Sequence, residues 1–239
     1  GSAWVAARRS ATGHYIAEGG ADLQRVWIAD GTGRELREPT LRVQATASGA
    51  WPEGGPLSLT TATATLSAGP DEVKLKLLEP IPDAQQLAAG KLDARLAGEL
   101  ARWRTRLAPV LAIPKHYVLG GLANAHGTIR FTEGVITVDR LTLAVEKARF
   151  RGAGLDIDEP RMSATADLTI QRVHGTTVFD QFTIQSAPLS VSNGRLILAA
   201  PKPGEQVVSG GGPVVVDLNR LGKSLQLYPD PRGPEAMHG

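Results

Sequence analysis

The sequence predicts a mainly β chain: a long curved antiparallel sheet, groove-like or taco-like, built as a repeated meander with one short helix near Glu99–Ala108. Three observations lead there. From Gly120 to Ile170 apolar and polar residues alternate, and Gly, Asp-Arg or Glu-Pro punctuate the run every six to twelve residues. That is the grammar of short antiparallel strands with one buried face. Aromatic residues make up only 5% of the chain, so its apolar material is mostly Leu, Val, Ala and Ile, suited to a thin sheet. Finally, a single segment keeps helical spacing.

Taken in order, residues 1–20 are poorly patterned, with a basic Arg8-Arg9 pair and a Gly19-Gly20 break. A first meander spans 21–81: Leu23 to Ile28, then Leu41, Val43, Ala45 and Ala47 on one face. Trp51-Pro-Glu-Gly-Gly-Pro56 reads as a loop. Leu57 and Leu59 then give way to Ala62, Ala64 and Leu66, a change of phase that predicts a β-bulge. Past the turn at Gly69-Pro70-Asp71, Val73, Leu75 and Leu77 alternate cleanly.

Residues 82–115 form a connector of strand plus short helix. Leu92, Leu96, Leu100, Trp103 and Leu107 fall at helical spacing, with Glu99 one turn from Arg95 and Arg102. Leu92, Ala94 and Leu96 also alternate with charged neighbours, so that half reads equally as strand; a strand to Gly98, then a helix from Glu99 to Ala108 stopped by Pro109, is the preferred division. A second meander covers 116–200, with another phase shift at Asp139-Arg140. Residues 201–239 comprise a Gly/Pro-rich loop over Pro201–Pro213, a last strand at Val214–Leu218 and a disordered tail.

The two meanders share a signature. Gly33-Arg-Glu-Leu-Arg-Glu-Pro39 aligns with Gly154-Leu-Asp-Ile-Asp-Glu-Pro160, and Leu41, Val43 and Ala45 then match Met162, Ala164 and Ala166. Leu57 and Leu59 match Phe182 and Ile184, and Ala62, Ala64 and Leu66 match Ala187, Leu189 and Val191. The spacing is 121 residues at Gly33/Gly154 and 125 at Leu57/Phe182. Such repetition lengthens a sheet rather than adding a domain. One helix is too little to cover the apolar face, and an exposed apolar surface of that extent normally marks a binding site.

The chemistry points away from catalysis. The charge is +2 with no long block of one sign, which argues against a nucleic-acid binder. The absence of cysteine removes disulfides, thiolate nucleophiles and cysteine metal sites. His14, His116, His126, His174 and His238 show no metal-ligand spacing and read as surface or turn residues. Asp156, Asp158 and Glu159 lack the spacing and closing glutamate of an EF-hand. No phosphate loop and no Gly-x-Ser-x-Gly context occurs. The expectation is a non-enzymatic protein without cofactor or metal. A hydrolase would have to gather carboxylates such as Asp156, Asp158 and Asp167.

Leu96-Ala-Gly-Glu-Leu-Ala-Arg-Trp103, Gly120-Gly-Leu with Ala125-His-Gly-Thr-Ile129, Ile136 to Leu143 and Phe150 to Ile157 resemble the strand-to-helix and hairpin motifs of the AsmA/TamB-like envelope proteins, over about a third of the chain. The resemblance implies a periplasmic groove that carries phospholipid in outer-membrane biogenesis, normally tethered to the inner membrane by an N-terminal helix. This chain is short and shows no such anchor, so the resemblance makes it one segment of a conduit. The partner expected is a phospholipid or other acyl-chain lipid. Candidate groove residues are Ile136, Val138, Leu141, Leu143, Val145, Ala164, Leu168, Ile170, Phe182 and Ile184. Burial along such stripes contributes roughly 0.8 kcal/mol per methylene. The same stripes suit the closed core of a structural or protein-interaction β domain, and periodicity does not separate the two.

Overall fold

A computed structural model describes residues 1–29, 35–85, 89–107, 118–132, 134–152, 155–171, 176–199 and 207–218. Strands β1 (Ser2–Arg9), β2 (His14–Ala29), β3 (Glu35–Ala50), β4 (Ser58–Ala68), β5 (Asp71–Leu77) and β6 (Gly90–Glu99) lead into helix α1 (Leu100–Leu107). Strands β7 (Val118–Thr132), β8 (Val135–Gly152), β9 (Leu155–Gln171), β10 (Thr176–Gln185), β11 (Leu189–Ala199), β12 (Val207–Gly211) and β13 (Val214–Val216) follow. All belong to one antiparallel sheet in which each strand from β1 to β12 pairs with its sequence neighbour; β13 pairs with β11 beside β12. The sheet is not closed into a barrel. Twist accumulates across so many strands, and open sheets this wide curl.

The long strands keep one face apolar through changes of phase because bulges absorb the extra residue. Arg140, Gln181 and Asn193 adopt left-handed backbone with φ of 53°, 50° and 48°. Each lies where the register of β8, β10 or β11 slips. Without the slip, every side chain beyond it would change faces. The bulge at Arg140 is held by Asp167, whose Oδ1 accepts the Arg140 amide at 2.8 Å. The slip between Ser48 and Gly49, which leaves Thr60 unpaired, is the bulge that the phase change from Leu59 to Ala62 required.

Several expectations are corrected. Residues 1–20 are not irregular: β1 and the first half of β2 pair there over eight consecutive positions. Every residue of β1 is exposed, so the strand has no buried face to impose alternation. Gly19-Gly20 is no break either. It faces Val5 and Trp4, and a Cβ on Gly20 would lie 2.8 Å from the Trp4 indole nitrogen, so glycine there lets the ring lie across β2. The Pro201–Pro213 segment holds β12, again exposed and unpatterned. Helix α1 begins after Gly98 as expected, whereas Ala108 and Pro109, the 219–239 tail, His116, His174 and His238 lie outside the described residues.

The two Glu-Pro signatures occupy equivalent places. In the β2–β3 hairpin Pro39 lies opposite Arg25, and in the β8–β9 hairpin Pro160 lies opposite Lys147. Arg25 and Lys147 both have left-handed φ, of 54° and 51°. Both glutamates, Glu38 and Glu159, are buried. Proline has no N–H to give its partner, so the facing residue is free to bulge. The downstream alignment is not kept. Leu59 and Leu66 share β4, whereas Ile184 lies in β10 and Leu189 in β11, across the turn at Ser186–Pro188.

Candidate apolar groove

Residues paired across antiparallel strands point to the same face, so the register maps the two surfaces of the sheet. One face carries Val43 and Leu66, then Val73 and Leu96, then Ala125, Leu143, Ala164 and Ile184, each facing the next on its neighbouring strand or one pair along. The opposite face carries Thr65, Lys74, Arg95, His126, Thr142 and Thr165. The sheet is therefore amphipathic across almost its whole width.

All ten candidate residues lie on the apolar face. Ile136–Ile170, Val138–Leu168 and Leu143–Ala164 face one another across β8 and β9, Leu141 faces Ala166, and Val145 faces Met162. Ile184 faces Ala164, and Phe182 faces Gly194. The Phe182 ring lies over Gly194, where a Cβ would come within 2.3 Å of it. Phe131 over Gly90 repeats this arrangement. Of the ten, Val145 alone is buried, at 5% exposure, and the other nine are half-buried. Among the described residues only eight apolar side chains are buried. Among the described residues no second sheet packs on this face, and away from α1 neighbouring side chains shield only one another.

Among the described residues, the covered part of the face lies under α1. A recess of about 390 Å³ opens between Leu100 of the helix and Leu119, Val145, Phe150, Met162 and Ile184, with Leu143, Ala164 and Ala148 in its floor. Its surface is apolar throughout. Ala123, Val145 and Ala148 form the small buried core beside it, against which Leu100, Leu143 and Met162 pack.

Helix α1 is fastened by charge. Asp71, 1% exposed, accepts Arg102 Nε at 2.5 Å and Nη2 at 2.8 Å, Arg106 Nη1 at 2.5 Å and the Glu99 amide at 2.9 Å. Arg106 also reaches Glu38 at 2.5 and 3.1 Å and the Ala68 carbonyl at 3.2 Å. Its guanidinium lies 5.1 Å from the centre of the Trp103 ring, the buried tryptophan. The Arg102 guanidinium, joined by Arg106 and the Glu99 amide, holds the Asp71 carboxyl well below the usual carboxylate range against the opposing effect of burial. Gly98 makes this possible: its φ is +145°, and a Cβ would stand 2.2 Å from Asp71 Oδ1. Helical spacing pairs Arg102 with Glu99, but no pattern in the chain marks Asp71, which reads as a turn residue.

The polar face has its own hollow, of about 690 Å³, lined by Glu72, Lys74, Arg95, Asn124, His126 and Thr142 among others. It is larger than the apolar recess. A strongly twisted sheet is saddle-shaped, so each face has a concave direction. His126 Nε2 lies 2.6 Å from Asp93 Oδ1, and this contact, with Arg95 beside it, lowers the Asp93 carboxyl. Of the carboxylates that a hydrolase would need, the Asp156 side chain lies outside the described residues. Asp167 is engaged by the Arg140 bulge, and Asp158 faces Arg149 across β8 and β9. Among the described residues no group of His, Asp and Glu side chains is placed to hold a metal ion, and no helix is long and apolar enough to cross a membrane.

Comparison of the chain with protein-family models, with curated proteins and with solved structures finds no match.

Proposed function

We propose that this chain is a non-enzymatic lipid-binding segment of an AsmA/TamB-like cell-envelope protein, holding acyl chains of a phospholipid or similar lipid along the apolar face of its sheet. The observation that carries the reading is the continuous apolar face, from Val43 to Ile184, left half-buried by an open sheet with, among the described residues, one eight-residue helix on it. Exposed apolar surface of this extent is costly in water, and acyl chains would relieve it at roughly 0.8 kcal/mol per methylene buried. The recess under Leu100 offers a partly enclosed position, and the charge-fastened helix keeps it in place. Under this reading the protein works in the periplasm, at the membrane-facing steps of outer-membrane biogenesis, and in a longer chain an inner-membrane anchor would place the groove near its lipid source.

Native mass spectrometry after gentle extraction tests this: bound phospholipid or fatty acid is expected, and protein that emerges free of lipid under conditions that keep the sheet folded overturns it. A second reading, a protein-interaction β domain, is favoured by the exposed edge strand β1. In its closed-core form it does not fit an open sheet.

A further inference from the structure

Among the residues that line the recess under α1, Arg149 alone carries a charge. It stands on β8 between Ala148 and Phe150, which both line the recess, and opposite Gly120 of β7, which borders it too. Gly120 has no side chain to shut Arg149 off from the recess; a Cβ there would lie 3.4 Å from the Arg149 Cβ. The Arg149 side chain is exposed and the recess has no polar surface, so the guanidinium lies outside it, in water. Arginine at an apolar boundary lays its stem along carbon and keeps its head wet. Its neighbour across the strands is Asp158, yet the Arg149 guanidinium makes no ion pair or hydrogen bond with Asp158 or with another described residue. The arginines of α1 differ in this respect: Arg102 and Arg106 are both engaged by carboxylates.

We propose that the recess and Arg149 together form a site for a lipid that carries an anionic phosphate beside its acyl chain. The chain enters under Leu100, and the phosphate accepts from the Arg149 guanidinium at the mouth. This rests on the reading that acyl chains occupy the apolar face, and it adds a choice of headgroup. Arginine suits the task because its planar fork donates two parallel N–H bonds to a phosphate. A neutral headgroup gains nothing comparable, since it leaves the guanidinium hydrated as it already is. The apolar recess would then set affinity for the chain, and Arg149 would set the preference among heads.

Calorimetric titration of the whole chain with monomeric lysophosphatidate, and with a monoacylglycerol of the same chain, separates the two parts, because these lipids differ only in the phosphate. The parent is expected to bind lysophosphatidate about tenfold more tightly, the effect of one charge-assisted contact. Arg149→Gln should bring the two lipids to near parity while leaving the monoacylglycerol affinity where it was. Arg42→Gln, the same loss of charge at an exposed arginine of β3, should keep the preference. Inorganic phosphate alone should not displace the lipid. Equal affinities in the parent, a preference that survives Arg149→Gln or is lost equally in Arg42→Gln, or displacement by inorganic phosphate overturns the proposal and leaves the acyl-chain reading standing. Binding of neither lipid overturns both.

Discussion

Replacing Asp71 by Asn should release α1. Asp71 is the shared acceptor of Arg102, Arg106 and the Glu99 amide, and it is 1% exposed. The substitution keeps the volume but leaves two guanidinium groups without their common counter-charge, one of them only 10% exposed. Breaking a buried pair from one side costs about 3–5 kcal/mol. Arg106 retains Glu38, which places the expectation at the lower end, about 3 kcal/mol. For a chain of this size each kcal/mol lowers Tm by about 2–4 °C, so a fall of roughly 6–12 °C is expected. Tryptophan fluorescence separates local from global effects. Trp103 is buried at 7% exposure, whereas Trp4, Trp27 and Trp51 are half exposed or more. Iodide quenching should therefore gain a newly accessible component in the variant below its unfolding transition. Stability within about 0.5 kcal/mol of the parent, the scatter of ordinary surface substitutions, with Trp103 still protected would refute the view that charge fastens the helix.

The same carboxyl gives a pH dependence. Because its pKa is lower folded than unfolded, its contribution is complete above the unfolded value near ~4 and is lost as pH falls towards the depressed folded value. Acid titration of stability should fall more steeply below about pH 4 in the parent than in Asp71→Asn. Gly98→Ala forces a Cβ into Asp71 at φ +145° and is expected to cost about 1–3 kcal/mol in denaturant unfolding, whereas Gly69→Ala, at φ +62° with open space around it, should cost less. At the Arg140 bulge, φ 53° suits glycine: Arg140→Gly should be neutral or stabilising, and Arg140→Val should lose about 1–2 kcal/mol.

Much of this architecture is legible in the chain because alternation reports a face that has one side in water and the other against carbon. That is why Gly120–Ile170 reads so clearly, why the phase changes at Thr60 and at Asp139-Arg140 announce bulges, and why all ten candidates fall on one surface. The signal fails where a strand has no buried side. β1 and β12 are exposed throughout, and no period of two survives to mark them. It also fails for contacts that depend on distance in the fold: Glu38 and Asp71 meet Arg106 across 68 and 35 positions. Gly20, which reads as a break, is instead the seat of the Trp4 ring, as Gly194 is of the Phe182 ring. Pairing, not composition, decides between those two roles.

The central claim is that acyl chains lie on the apolar face. It is tested most directly by placing a photo-crosslinking residue singly at Leu143, Leu168 and Phe182, and at Thr142 and Thr169 on the opposite face, then illuminating the protein with phospholipid vesicles. Thr142 and Thr169 pair with Thr165 and Thr137, away from the candidate groove. The account predicts lipid adducts at the first three positions and little at the other two. Adducts equal on both faces, or absent from the apolar one, would contradict it.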